Sequence, residues 1–158
     1  MDATPWLTDD EQLAWRGLAG VFLRLPGALE AQLQRDSGLS HFEYWVMALL
    51  SEADGRSRRL RDLAAQANCS LSRLSHVVTR LEGRGWVTRE PVPGAARSTY
   101  AVLTAAGYDQ VVAAAPGHVR AVRSLVFEAL DATDVADLER ICGVILERLE
   151  DNDRVTRC

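Results

Sequence analysis

Lysine is absent from this sequence, and all 18 of its basic residues are arginine. A genomic base composition that favours arginine codons is the simplest explanation. Whatever the origin of the bias, it supplies the chain with planar guanidinium groups, which suit phosphate oxygens and guanine edges.

Cysteine is scarce, and its placement excludes a disulfide scaffold. The chain has three cysteines, at Cys69, Cys142 and Cys158. They are odd in number, far apart and without metal-ligand spacing, so we interpret them as reduced thiols. The three histidines, at His41, His76 and His118, show no ligand spacing either. The sequence therefore predicts no metal site.

Long apolar runs are missing as well. Stretches such as 46–50 and 111–115 fall far short of the roughly 20 residues that a bilayer span requires. Acidic residues stand at the N-terminus where a signal peptide would be positively charged. We expect a cytoplasmic protein with no membrane partner. A chain of 158 residues with 47% hydrophobic content is expected to fold as a single domain, residues 1–158.

The sequence also lacks the common catalytic signatures. It has no glycine-rich phosphate loop, no His-Glu-x-x-His and no Gly-x-Ser-x-Gly. Its acids are scattered along the predicted helix surfaces. We therefore expect that the protein is not an enzyme and has no cofactor.

The positive charge that is present is concentrated. Residues 56–97 contain nine of the 18 arginines and only three acids, a surplus of six positive charges in a chain whose net charge is −4. A basic segment in an acidic molecule fits a protein that meets polyphosphate on one surface, because phosphate contacts dominate non-specific nucleic-acid affinity. The segment predicts a DNA-binding face.

Two capping boxes mark the starts of the first two helices. Thr8 with Glu11, and Ser40 with Glu43, have the spacing at which a hydroxyl and a carboxylate each accept the other residue's backbone N–H. The first helix is predicted to run to the Asp36-Ser37-Gly38 stop with a kink near Phe22, caused by Pro26. Residues 56–59 are predicted to form a connector.

A helix-turn-helix pattern follows. A short helix begins at Leu60, a turn at residues 68–70 breaks it, and a second helix carries Leu71, Leu74, Val78 and Leu81 at inward positions. Asn68 stands where the turn requires a left-handed backbone, and Cys69 is interpreted as the turn's core residue.

The outward face of the second helix carries short hydrogen-bond donors, an imidazole and guanidinium groups, and residues 70–80 contain no acid. In a major-groove complex the first turns of such a helix reach base edges and flanking groups hold phosphate. We expect Ser72, Arg73, Ser75 and His76 to read bases, and Thr79, Arg80 and Arg84 to hold the backbone. The whole DNA-binding set, with the turn residue Ser70 and an arginine at 97, is Ser70, Ser72, Arg73, Ser75, His76, Thr79, Arg80, Arg84 and Arg97.

Residues 86–90 and 98–103 are predicted to form two strands around a proline- and glycine-containing loop. A hairpin directly after a recognition helix is a wing, and Arg97 at its tip is expected to enter an adjacent minor groove. A helical region follows to Leu130 with an interruption at Pro116-Gly117. The last helix, at about 133–150, is apolar over more than one stripe, which predicts burial against a second subunit.

The order of these elements, with Arg80-Leu81-Glu82-Gly83-Arg84-Gly85, the wing and Leu103-Thr104-Ala105-Ala106-Gly107, resembles the MarR family of bacterial transcriptional regulators over nearly the whole chain. The resemblance implies a mainly α fold with a small β-hairpin wing. The winged helix-turn-helix would span about 40–104, and a helical dimerisation lobe about 8–36 and 105–152. It further implies a homodimer on a pseudo-palindromic double-stranded DNA operator, commonly a repressor released by a small, often phenolic, effector.

The resemblance also implies an effector crevice where the first and second helices approach each other. Trp15, Phe22 and Trp45 are its candidate lining, with His41 or Arg16 as a polar anchor. Aromatic residues at helical spacing are more often ordinary core, so that alternative stays open. A winged-helix protein-interaction module without specific DNA binding is the alternative for the whole chain.

Overall fold

The computed structural model describes residues 4–92, 94 and 98–156, with side chains to 152. The helices are α1 Asp9–Ser37, α2 His41–Ser51, α3 Leu60–Gln66, α4 Leu71–Gly83, α5 Ala105–Leu125 and α6 Ala132–Thr156. The strands are β1 Ser57–Arg59, β2 Val87–Pro91 and β3 Thr99–Leu103. Short 3-10 turns lie at Asp54–Arg56 and Phe127–Ala129. The chain forms two compact units, Met1–Val119 and Arg120–Cys158.

Both predicted capping boxes are confirmed. At the start of α1, the Thr8 backbone N–H donates to Glu11 at 2.8 Å and the Glu11 N–H donates to the Thr8 hydroxyl. Ser40 and Glu43 make the same exchange at the start of α2. The helix α1 runs unbroken through Pro26 to Ser37 and is capped by Gly38, whose φ of 64° is the left-handed conformation that glycine adopts without strain.

The prediction of a connector at residues 56–59 is wrong. Residues Ser57–Arg59 form strand β1, which pairs antiparallel with β3, so the sheet has the order β1-β3-β2. The two strands of the wing hairpin are confirmed as β2 and β3. A strand of three residues carries too little alternation for a sequence pattern to detect, and only its partner 40 or more residues later defines it.

The core of the first unit gathers side chains from α1 to α5 and the sheet. Helix α4 contributes a continuous buried stripe of Leu74, Val77, Val78 and Leu81. The prediction that Leu71 points inward is wrong, because its side chain is 50% exposed. Leu71 is the first residue of α4 and precedes the buried stripe by almost one turn.

The predicted interruption at Pro116-Gly117 is also wrong. Helix α5 is continuous from Ala105 to Leu125 with Pro116 inside it. A proline removes one backbone hydrogen bond, to the carbonyl four residues earlier. That carbonyl belongs to Val112, a half-exposed residue, so water can take the place of the missing donor.

Apolar side chains remain exposed on several helices. In the first unit they include Leu13, Val21 and Leu23 on α1. In the second unit α6 exposes Ile141, Val144, Leu146 and Leu149. Across the described residues, no helix combines the length and the apolar character that a membrane crossing would need.

Candidate nucleic-acid interface

Helix α4 presents its polar face to solvent. Ser72, Arg73, His76, Thr79 and Arg80 are all exposed, and Ser75 is partly exposed. The helix therefore brings the predicted base-reading and phosphate-holding residues together on one ridge. The role of each residue stays a prediction.

The turn that places this ridge has the predicted backbone. Asn68 has φ 50°, the left-handed conformation expected there, and the Cys69 N–H closes the turn on the Ala64 carbonyl at 3.0 Å. Ser70 caps α4 by accepting the Arg73 backbone N–H at 3.2 Å. Ser70 therefore has a structural role at the first turn of the ridge.

Arg80 is held from behind by a buried acid. Its Nε donates to Glu43 Oε1 at 3.1 Å, and the arginine side chain is 57% exposed while that of Glu43 is 5% exposed. Only Nε is used, and the outer nitrogens of the guanidinium make no hydrogen bond to the described part of the chain. The buried carboxylate thus orients Arg80 while most of the arginine side chain stays exposed, since charge-assisted hydrogen bonds fix geometry strongly.

The pKa of Glu43 reflects this environment. Burial acts to raise the pKa of the carboxyl group, but the Ser40 backbone N–H, the Arg80 side chain and the nearby Arg84 charge outweigh burial and hold the pKa below its usual value. Sequence reasoning identified Glu43 only as a capping residue, because its partner lies 37 positions away.

We expect Glu43→Gln to lower the free energy of unfolding by about 1 kcal/mol at pH 7, because an amide cannot replace charge-assisted bonds. The folded pKa is depressed, so the carboxylate contribution is fully present above about pH 4.3 and is lost as the pH falls through the folded pKa. Urea unfolding of the wild type and of Glu43→Gln from pH 7 to about pH 3 measures the difference between their free energies of unfolding. This difference should disappear in acid. Glu11→Gln, in the exposed box of α1, is the control and should cost less. A difference in unfolding free energy that does not change with pH would contradict the pairing of Glu43 with Arg80.

Two further arginines of the ridge are also anchored. The Arg84 guanidinium donates to the Gly38 carbonyl at 3.1 Å and lies 4.9 Å from the Trp86 ring. The Arg73 guanidinium lies 4.4 Å from the centre of the Phe42 ring. Stacking on a ring restricts a guanidinium without consuming its hydrogen-bond donors, so the donors of Arg73 stay available to another partner.

Arg89 was missed as a site residue. From β2 its Nη2 donates to the Ser75 carbonyl at 2.9 Å, the Ser75 hydroxyl at 3.2 Å and the Thr79 hydroxyl at 3.1 Å. Its Nη1 pairs with Glu82. Strand alternation could have signalled this role, since Arg89 shares a strand face with the buried Val87 and a charged residue there requires partners. Arg89 joins β2 of the wing to α4.

A cavity of about 550 Å³ opens beside the ridge, lined by Glu30, Ser40, Phe42, Ser70, Ser72, Arg73, His76, Val77 and Arg80. It is part of the same face, since five of its lining residues belong to the predicted DNA-binding set. The remaining member of that set, Arg97, lies outside the described residues.

The predicted effector residues lie on two neighbouring helices. Trp15 and Phe22 are more than half exposed on α1, and Trp45 is 43% exposed on α2. His41 opens α2 with its ring 5.7 Å from that of His118, and burial lowers the pKa of both imidazoles. Among the side chains that the structure describes, no three His, Cys, Asp or Glu groups lie close enough to share a metal ion.

Comparison with known proteins finds a matching family model and similar solved structures. A family model described as MarR family matches residues 39–99. The crystal structure of Sco3205, a MarR family transcriptional regulator from Streptomyces coelicolor in complex with DNA, is 42% identical, with a TM-score of 0.90 and coverage of 92% of each chain. AbsC, a MarR family transcriptional regulator from the same organism, is 38% identical, with a TM-score of 0.89 and coverage of 94% of this chain and 99% of AbsC.

More distant structures share the fold. NadR, solved in complex with 4-hydroxyphenylacetate, is 20% identical, with a TM-score of 0.68 and coverage of 92% of this chain and 97% of NadR. Among curated protein sequences, none matches the chain significantly. The similarity to Sco3205 and AbsC extends over both compact units.

Proposed function

Because this chain belongs to the MarR family of transcriptional regulators, we propose that it recognises a pseudo-palindromic operator in duplex DNA as a homodimer and represses the adjacent genes. In this proposal it acts in the cytoplasm and without catalysis. The two α4 helices of the dimer would enter successive major grooves about one helical turn apart.

One observation carries this proposal: α4 has no acid from residue 71 to residue 80, and the exposed arginines of this stretch are anchored from behind with donors left over. Arg80 is held through Nε by Glu43, and Arg73 stacks on Phe42. Side chains arranged in advance lose less entropy when they bind, so the arrangement favours a polyanionic partner. A protein-interaction module would have no need of such anchored arginines on an exposed helix face.

The homodimer part rests on apolar surface in each unit. Val21 and Leu23 on α1 are at least half exposed in the first unit, as are Val144 and Leu149 on α6 in the second. Exposed apolar surface repeated along whole helices is typical of a subunit interface.

A gel shift with genomic fragments at two salt concentrations tests DNA binding itself. Phosphate contact requires that affinity fall steeply as salt rises, because neutralised phosphates release counterions. If no fragment is retained at low salt, the protein is an interaction module and the proposal is wrong.

We expect Arg73→Ala to weaken operator binding by about 1–3 kcal/mol and to relax the preference at one base position. Arg80→Ala should instead weaken all sequences alike and reduce the salt slope by about one. Titrations of the operator and of scrambled DNA at several salt concentrations separate the two effects. Arg80→Lys retains the charge and serves as the control, and thermal melts show that each variant is folded.

If Arg73→Ala changes neither operator affinity nor base preference, Arg73 does not read a base. In that case the cation–π contact with Phe42 would be its only role.

We extend the proposal to a small aromatic effector, with Trp15, Phe22, His41 and Trp45 as its candidate contacts. The exposure of both tryptophans supports this part, since each could meet a ligand directly. The 4-hydroxyphenylacetate of NadR is a ligand of that protein, and a likeness of 20% identity carries only the fold to this chain. Tryptophan fluorescence of the DNA complex during titration with phenolic acids tests the idea, since an effector must change the fluorescence and release the DNA.

A further inference from the structure

Thr79 is exposed on the ridge, yet its hydroxyl proton is already used. Thr79 Oγ1 donates to the Ser75 carbonyl at 3.0 Å, one turn earlier in the same helix. The same oxygen accepts a hydrogen bond from Arg89 Nη2 at 3.1 Å. A hydroxyl has a single proton to donate, so Thr79 has no donor left for a DNA acceptor.

This excludes the simplest use of a threonine at a DNA surface. Phosphate oxygens, guanine N7 and O6, adenine N7 and thymine O4 are all acceptors, and each needs a donor from the protein. Thr79 could supply one only by giving up its bond to the Ser75 carbonyl. The group that Thr79 has left to offer is its methyl.

We infer that Thr79 recognises thymine through methyl–methyl contact, and that Arg89 is the positioning residue that commits the Thr79 hydroxyl to the helix. The inference rests on the proposed function and makes it more specific. Thymine is the one base with an apolar group, its 5-methyl, in the major groove, and a threonine methyl is a suitable partner for it.

The position of Thr79 on α4 supports this assignment. The buried stripe of α4 is formed by Leu74, Val77, Val78 and Leu81. At 100° per residue, Thr79 and His76 project from the side of the helix opposite to that stripe. A residue at the centre of the exposed face approaches the floor of the groove more closely than residues on the flanks do.

Ser75 provides an internal contrast. Its hydroxyl oxygen accepts from Arg89 Nη2 at 3.2 Å, and a serine hydroxyl that accepts still has its proton to donate. The same arginine therefore leaves Ser75 as a hydrogen-bond donor and Thr79 as an apolar contact. Two neighbouring hydroxyl residues thereby acquire different readout chemistry.

Deoxyuridine scanning tests the inference, because uracil pairs as thymine does but lacks the methyl. Each thymine of the operator is replaced in turn, and the dissociation constant is measured for the wild type, Thr79→Ser and Thr79→Val. We expect one thymine in each half-site at which uracil weakens wild-type binding by about fourfold, the factor expected for one buried methyl-sized group.

The two variants separate the methyl from the hydroxyl. Thr79→Ser retains the hydroxyl bonds but not the methyl, so it should lose about fourfold on the normal operator and be insensitive to uracil at that position. Thr79→Val retains a methyl and should keep both near-normal affinity and uracil sensitivity. Ser75→Ala is the matched control, because it should weaken binding and leave the uracil effect unchanged.

Two results with the variants would overturn the inference. One is a scan in which Thr79→Ser remains sensitive to every uracil that weakens the wild type. The other is a Thr79→Val variant that binds all sequences more weakly with a shallower salt slope, which would show that the hydroxyl contacts phosphate. If the wild type binds no DNA, the proposed function is wrong as well. If the wild type binds DNA tightly and no uracil weakens this binding, only the thymine contact is wrong.

Discussion

Replacing Gly107 with alanine should destabilise the protein by about 3 kcal/mol, more than most single substitutions do. A Cβ atom at this position would overlap the Trp86 carbonyl oxygen and lie 2.8 Å from Leu103 Cδ1. The Gly107 N–H also donates to the Thr104 hydroxyl at 3.0 Å, which in turn donates to the Gly85 carbonyl at 2.8 Å. The start of α5 is therefore packed directly on the backbone that follows the recognition helix.

Thermal and urea unfolding measure the effect, and we expect the melting temperature to fall by about 10 °C. Gly83→Ala is the matched control, since α4 contains Gly83 and a Cβ there meets nothing within 4 Å. That change should be neutral or stabilise the protein by up to about 1 kcal/mol, because alanine is the better helix former. Equal effects of the two substitutions would show that α5 does not pack on Trp86 as described.

Replacing Val144 with glutamate should convert the proposed dimer into monomers at micromolar concentration. The Val144 side chain is 61% exposed on α6. In the proposed interface the new carboxylate would be buried without a partner, which costs several kcal/mol and is incurred once in each subunit. A monomer reaches only one half-site, so we expect operator affinity to fall by at least about 100-fold.

Sedimentation velocity and gel shifts on the same samples measure both effects. Glu147→Lys changes the charge at an exposed position of the same helix, and it should leave the dimer intact. Circular dichroism shows whether the helices of each variant have formed. A wild-type protein that sediments as a monomer at micromolar concentration would refute the dimer directly, and a Val144→Glu variant that remains dimeric would place the interface elsewhere.

The errors in the sequence interpretation have a common cause, because each concerns the surroundings of a residue in the folded chain and not its local pattern. Strand β1 was predicted as a connector because three residues show no period, and its identity depends on pairing with β3. A break was predicted at Pro116, but the helix tolerates the one missing hydrogen bond because the carbonyl left without a donor is exposed. Leu71 was assigned to the core from period alone, although the packing of α4 begins only at Leu74.

The sequence by itself determined the features that depend on local hydrogen bonds, on short turns or on the helix and strand periods. Both capping boxes, the left-handed Asn68, the exposed polar face of α4 and the wing hairpin follow from local hydrogen bonding and from the helix and strand periods. The tertiary structure alone decided how that face is held. Glu43 lies 37 residues from Arg80, and Arg89 lies 14 from Ser75, and chain folding brings each pair together. Donors and acceptors far apart in the chain choose their partners only when the core has packed, so a sequence shows which groups are present but not which of them remain free for DNA.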